Sequence, residues 1–200
     1  MISLDNITLV AISGLGYDTE GNVEALEKSQ ESIEFGSVQY LQFAGIKDID
    51  SWNWHVIYEL PKHIHTDYAL LIHADGYVIN PELWNDEWLE YDYIGAPWPL
   101  PQDSFSYRDE AGNIVRVGNS VSLRSRELMG LVATRPWRSY YGNTNEDGFI
   151  TCHNRIWLED RGCKFAPLEV AKHFSKEHEI PENKGLETFA FHEVDDWADY

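Results

Sequence analysis

The run Ala69-Leu70-Leu71-Ile72 constrains this chain most. Four consecutive apolar residues leave a strand no polar face to give to solvent. Such a strand must be covered on both sides, as the central strands of a layered sheet are. The run ends in His73-Ala74-Asp75-Gly76, which puts an acid where the core opens. Asp-Gly is a strong reversal signal, so a plain turn is one reading. A ligand or metal contact at a strand end is the other.

The flanking pattern alternates strand and helix. Asn6 to Gly14 (NITLVAISG) is a β-type run ending in small residues, and residues 22–33 (NVEALEKSQESI) carry Val23, Leu26 and Ile33 at helical spacing. Ser37 to Gly45 alternates as a second strand, and residues 54–64 (WHVIYELPKHI) read as a short helix closed by Pro61. This order predicts an α/β fold, one domain over residues 1–200, with a mostly parallel central sheet flanked by helices and ligands at the carboxyl ends of its strands. Residues 97–113 are rich in Pro, aromatic and acidic residues and read as an irregular loop or hairpin that could form a binding loop or lid. A β-like run through Val117 and Leu123 follows, with a helix start near Ser125, and Gly118 within it predicts a bulge or a close backbone approach. Phe149, Ile150, His153, Ile156 and Trp157 share one helical face, with Gly162 as carboxyl cap and Thr144 and Asp147 spaced nearly as a capping box.

Charge narrows the partners. Thirty-four Asp and Glu against 15 Lys and Arg give a formal net charge of −19, which repels a nucleic-acid backbone and an anionic membrane surface. A small phosphorylated ligand remains compatible if a divalent cation neutralises its phosphates. No apolar segment approaches the roughly 20 residues of a membrane span, and MISLDNITLV lacks the basic start and cleavage site of a secretory signal. Cys152 and Cys163 lack a C-x-x-C spacing. These features predict a cytoplasmic protein with reduced, structural thiols.

Four elements carry candidate chemistry, each with a plainer alternative. In an extended segment His73 and Asp75 point to the same side and could face a ligand or a divalent ion together. Glu146 and Asp147 open a helix, where acids favour the helix dipole; beside a pocket, one of them could instead take a proton from an attacking hydroxyl. Gly118-Asn119-Ser120 offers either a bulge or a close approach, with Asn119 able to bond sugar hydroxyls. His192 follows an aromatic run near the carboxyl terminus and is either a surface residue or a ligand.

These elements occur in an order that resembles glycosyltransferases of the GT-A (Rossmann-like) fold: an acidic or DXD-like element after a buried strand, a glycine-containing loop strand, an x-E-D triplet opening a helix, and a late histidine. The phrases TDYALLIHADGYVINP, YDYIGAPWP, VGNSVSLRSREL, NEDGFI, KFAPLEVAKHFSKE and FAFH are together similar to a little-characterised family described only as glycosyltransferase-like. The likeness runs from about Ile7 to His192.

The resemblance implies a metal-assisted transfer of a hexose from a nucleotide-sugar, UDP being the common nucleotide in such proteins, to a sugar or other hydroxyl acceptor. Asp75 would bind Mn²⁺ or Mg²⁺ bridging the donor diphosphate, with His192 as second ligand or phosphate contact and His73 and Ala74 beside it. Asp147 would be the base of an inverting reaction, with Glu146 holding acceptor or structure. Gly118 and Asn119 would border the donor sugar, and Ala11, Ile12, Ser13, Gly14 and Tyr17 would seat base and ribose. Trp98, Tyr107 and Trp137 could stack on sugar faces or pack in the core. Two positions depart from the pattern: His73 stands where the element has its first acid, and Ser120-Val121 replaces a more glycine-rich continuation. Two rival readings follow. One is a non-catalytic nucleotide-sugar or glycan-binding module with a degenerate DXD element; the other is a metal-dependent hydrolase using His73, Asp75, His153 and His192, whose spacing is not that of a metal motif.

Overall fold

A computed structural model describes residues 1–118, 121–137 and 145–192. Its central sheet contains β1 (Ile2–Gly14), β2 (Ile33–Phe43), β3 (Tyr68–Ile72), β4 (Tyr93–Ile94) and β5 (Ser122–Ser125), in the order β2-β1-β3-β5-β4. β1 pairs in parallel with β2 and β3, while β5 runs antiparallel to both β3 and β4. Four of the five strands therefore point one way, and the fold is mixed α/β with a mostly parallel sheet flanked by helices.

The apolar run predicts β3 well. Ala69, Leu70, Leu71 and Ile72 are fully buried, and their alternation splits them between two layers. Leu70 and Ile72 join Leu9, Ala11, Trp88 and Phe174 on one face; Ala69 and Leu71 join Val10, Ile12, Val56 and Leu60 on the other. The first face is covered by α1 (Thr19–Ser29) and α7 (Leu168–Phe174), the second by α2 (Ile49–Tyr58), α3 (Leu60–His63) and α4 (Arg126–Val132).

Boundaries moved where local chemistry outweighed apolar spacing. Ile33 starts β2 rather than closing the first helix, because it pairs with Ile2. The second helix begins five residues before Trp54: Asp48 accepts from the Ser51 amide, and Ser51 Oγ accepts from the Asp48 amide, a reciprocal cap. Pro61 opens α3 instead of closing a helix, since a first turn needs no amide hydrogen there. The face from Phe149 to Trp157 is divided between α5 (Glu146–Thr151) and α6 (Arg155–Glu159). The break has a local cause: Asn154 Nδ2 takes the Phe149 carbonyl, and Arg135 Nε donates to Asn154 Oδ1. Gly162, with φ +94°, turns the chain out of α6 as expected. Thr144 lies outside the described residues.

Gly36 shows how closely β1 and β2 approach. Their register shifts between Leu4 and Thr8, and a Cβ on Gly36 would sit 1.9 Å from the Asp5 carbonyl oxygen. Backbone on both sides cannot yield, so Gly36→Ala should lower stability by about 1–3 kcal/mol in urea unfolding; an unchanged midpoint would show that the bulge is free to move.

Candidate active site

The parallel strands β1 and β3 end at the same sheet edge, and the reversed β5 begins there. A cleft of about 1650 Å³ opens along that edge, lined among others by Ile12, Ser13, Gly14, Tyr17, His73, Ala74, Asp75, Asp147, Glu177 and His192. Single ligands occupy some 300–1,000 Å³, so there is room for two reactants.

The turn reading of the Asp-Gly step holds, and the turn places Asp75 at the cleft. The His73 amide donates to the Gly76 carbonyl at 2.8 Å and the Gly76 amide to the His73 carbonyl at 3.2 Å, a tight reversal that leaves Asp75 exposed in the cleft. His73 and Asp75 reach the cleft through this turn, not through strand alternation as expected from the sequence. The His73 ring lies between Trp52 and His192, with centroids 5.3 and 5.2 Å away, and Trp52 Nε1 donates to the Ile12 carbonyl.

His192 arrives by a small second sheet. After α7, β6 (Ser175–Lys176) pairs in parallel with β7 (Ala190–Phe191), and the Phe191 amide donates to the Tyr77 carbonyl. His192 thus stands between two carboxylates: its Nε2 is 3.3 Å from Asp75 Oδ1 and its Nδ1 3.4 Å from Glu177 Oε1. Burial disfavours its charged form, but the two carboxylates outweigh burial and raise its pKa to about 9. Although Asp75 is exposed, partial desolvation by the cleft walls works against its ionising, yet the imidazolium holds its carboxyl below the ordinary value.

Asp147 is governed by the opposite balance. Burial, then the neighbouring Glu146 charge, push its carboxyl up to about 7, against the Gly148 amide that bonds it at 2.6 Å. Asp147 faces the cleft; Glu146 does not. The Glu146 carboxylate is fully buried and accepts from Arg124 Nη2 at 2.6 Å, so of the two parts the resemblance allowed it, acceptor or structure, the pairing gives it the structural one, and its place among the reacting groups is corrected.

Two further expectations are corrected. Ala11 is wholly buried in the layer under α1 and α7 and does not line the cleft, because strand alternation turns it away from Ile12. Gly118 lies beneath Trp98: a Cβ there would come within 2.1 Å of the indole, so the glycine seats Trp98, which in turn lines the cleft. Trp98 stacks on Tyr107 at 4.6 Å. The segment carrying Tyr107 is an irregular hairpin, bridged at Pro97–Val117 and Arg108–Ile114. Trp137 lies apart from the cleft, in a shallow groove with Trp54 and Tyr58. Asn119 lies outside the described residues.

Glu177, Trp52 and Arg124 escaped the sequence reading. Glu177 and Trp52 had no signal beyond residue type. Arg124 had one: a charge inside a buried strand requires a buried partner.

As for a metal, no group of three or more His, Cys, Asp or Glu among the described residues is placed to share one. Asp75 Oδ1 and His192 Nε2, at 3.3 Å, do match two donors on one cation, since two bonds of about 2.1 Å at a right angle set them about 3 Å apart. The pair fits two of the ligands of such a cation. No helix among the described residues is long and apolar enough to cross a membrane.

A family model described as "Protein of unknown function (DUF5672)" matches residues 43–192. No curated protein matches the chain. Among solved structures, the chain is similar to a glycosyltransferase involved in the glycosylation of the major capsid of PBCV-1, with 11% identity, 93% of this chain and 91% of that chain covered and a TM-score of 0.53. It also matches the apo-form glycosyltransferase GlyE of Streptococcus pneumoniae TIGR4, with 13% identity, 98% of this chain but 57% of that one, and a TM-score of 0.47. At 11% identity the first likeness is one of fold.

Proposed function

Since the chain belongs to the family described as Protein of unknown function (DUF5672) and shares its fold with a glycosyltransferase, we propose that it transfers a hexose from a nucleotide-sugar, UDP-linked for preference, to a hydroxyl acceptor in a GT-A arrangement. The observation that carries this reading is convergence. Asp75, Asp147 and His192, up to 117 positions apart in the chain, line one cleft large enough for donor and acceptor.

Asp147 acts as the base of an inverting reaction. A carboxyl held near 7 is half ionised at neutral pH and is a far better proton acceptor than an ordinary aspartate. The rate should therefore rise with pH through about 7. Ile12, Ser13, Gly14 and Tyr17 seat base and ribose, and the half-buried Tyr107, backed by the buried Trp98, offers its outer ring face to a sugar. Asp75 and His192 would hold Mn²⁺ or Mg²⁺, which supplies positive charge against the departing diphosphate. His192 must release its proton to serve as ligand, so metal affinity should climb with pH toward about 9. Asp75→Asn should weaken Mn²⁺-dependent donor binding in calorimetry about tenfold or more; equal affinity with and without Mn²⁺ would remove Asp75 from this role.

The deciding experiment incubates purified protein with a panel of nucleotide-sugars, with and without Mn²⁺, and measures nucleotide release. Slow release, faster with a sugar acceptor, is expected. Binding without release across the panel would leave the non-catalytic module, in which His73 stands for a lost acid.

A further inference from the structure

We propose that Arg124 is the positioning residue for Asp147, acting through Glu146. The inference rests on the reading of Asp147 as the base. α5 has six residues, and Asn145 at its start makes no side-chain capping bond. So short a helix does not set its own orientation.

The hold is tertiary. Arg124 Nη2 donates to Glu146 Oε1 at 2.6 Å, and Arg124 Nε to Ser122 Oγ at 2.8 Å. The guanidinium lies 5.4 Å from the Tyr93 ring centroid, so β4 and β5 together fix its plane. On the other side, the Glu146 amide donates to Asn53 Oδ1, and Asn53 Nδ2 donates to Asn145 Oδ1, which ties the same turn to α2. Successive helical residues are turned by about 100°. Glu146 pinned into the core therefore brings Asp147 round to the cleft.

The choice of charge supports an orienting role. Arg124 and Glu146 are 1% and 0% exposed, and apolar residues of like size would serve stability as well as such a pair does. What the guanidinium adds is direction, because its planar N–H groups must meet Ser122 Oγ and Glu146 Oε1 at once. Asp147 is otherwise faced by Glu177 after β6, Tyr93 on β4, Tyr107 on the hairpin and Cys152 after α5. None of these is a cation, and Arg124 attracts it from within the core.

The test uses the full chain with Arg124→Met and Glu146→Gln combined, which leaves no lone buried charge, its folding checked by circular dichroism. For donor turnover, kcat should fall at least tenfold with KM for the donor within about twofold, and a crystal structure should show the Asp147 carboxylate displaced by about 1 Å or more. In a folded variant, either a kcat within twofold of wild type or an unmoved carboxylate overturns the proposal. Where the wild-type protein shows no turnover, the transferase reading fails and the position of Asp147 decides this proposal alone.

Discussion

Asp147→Asn is expected to abolish transfer and, at the same time, to stabilise the protein above neutral pH. As the proposed base, its loss should lower kcat by about 10²- to 10⁴-fold while donor affinity stays close to wild type. The stability effect follows from linkage. The carboxyl titrates near 7 when folded and near 3.9 when unfolded. Between these values the folded state keeps a proton that the unfolded state has released, so stability is fully present below about pH 4 and falls as pH rises through 7. Asn carries no charge at any pH and escapes this loss, worth about 2–4 kcal/mol at pH 8. Thermal melts at pH 5 and pH 8 should show the gain of the variant over wild type growing with pH. A gain that is flat with pH would mean that burial does not hold this carboxyl up, and an unchanged kcat would remove Asp147 from the chemistry.

Arg124→Met alone should be among the most damaging single substitutions in the chain, costing about 3–5 kcal/mol in urea unfolding. It leaves the Glu146 carboxylate, fully buried, without its counter-charge, and takes a donor from Ser122 Oγ. Adding Glu146→Gln should return most of that loss, because the lone charge is then gone. A single variant as stable as wild type would show that the pair is solvated in solution, and a double variant no better than the single would place the cost in packing against Tyr93 instead.

Legibility followed the range of the interaction. β3 could be read from four residues, since an all-apolar run needs no partner to be recognised as covered on both faces. The parallel sense of β1, β2 and β3 followed from the helices between them. The reversal of β5 did not, because Ser122–Ser125 is four residues long and its direction depends on which neighbour it pairs with. The caps and breaks at Asp48, Pro61 and Asn154 were written in local chemistry that apolar spacing does not count.

In the site, places at strand and helix ends and the resemblance singled out Asp75, Asp147 and His192, and the resemblance gave Asp147 the part of base; residue type contributed less. It could not separate Asp147 from Glu146: adjacent acids have the same intrinsic chemistry, and only the burial of Arg124 against one of them leaves the other to the cleft. Nor could it reveal Glu177, an ordinary glutamate until β6 and β7 pair and set it beside His192. By itself the chain's order of residues determined the covered sheet, the acidic character and the acids at strand and helix ends, because burial patterns and charges are properties of short segments. Tertiary structure decided which acid faces the cleft, which histidine is held protonated and which glycine merely seats a tryptophan, because each depends on desolvation and on partners brought from distant parts of the chain.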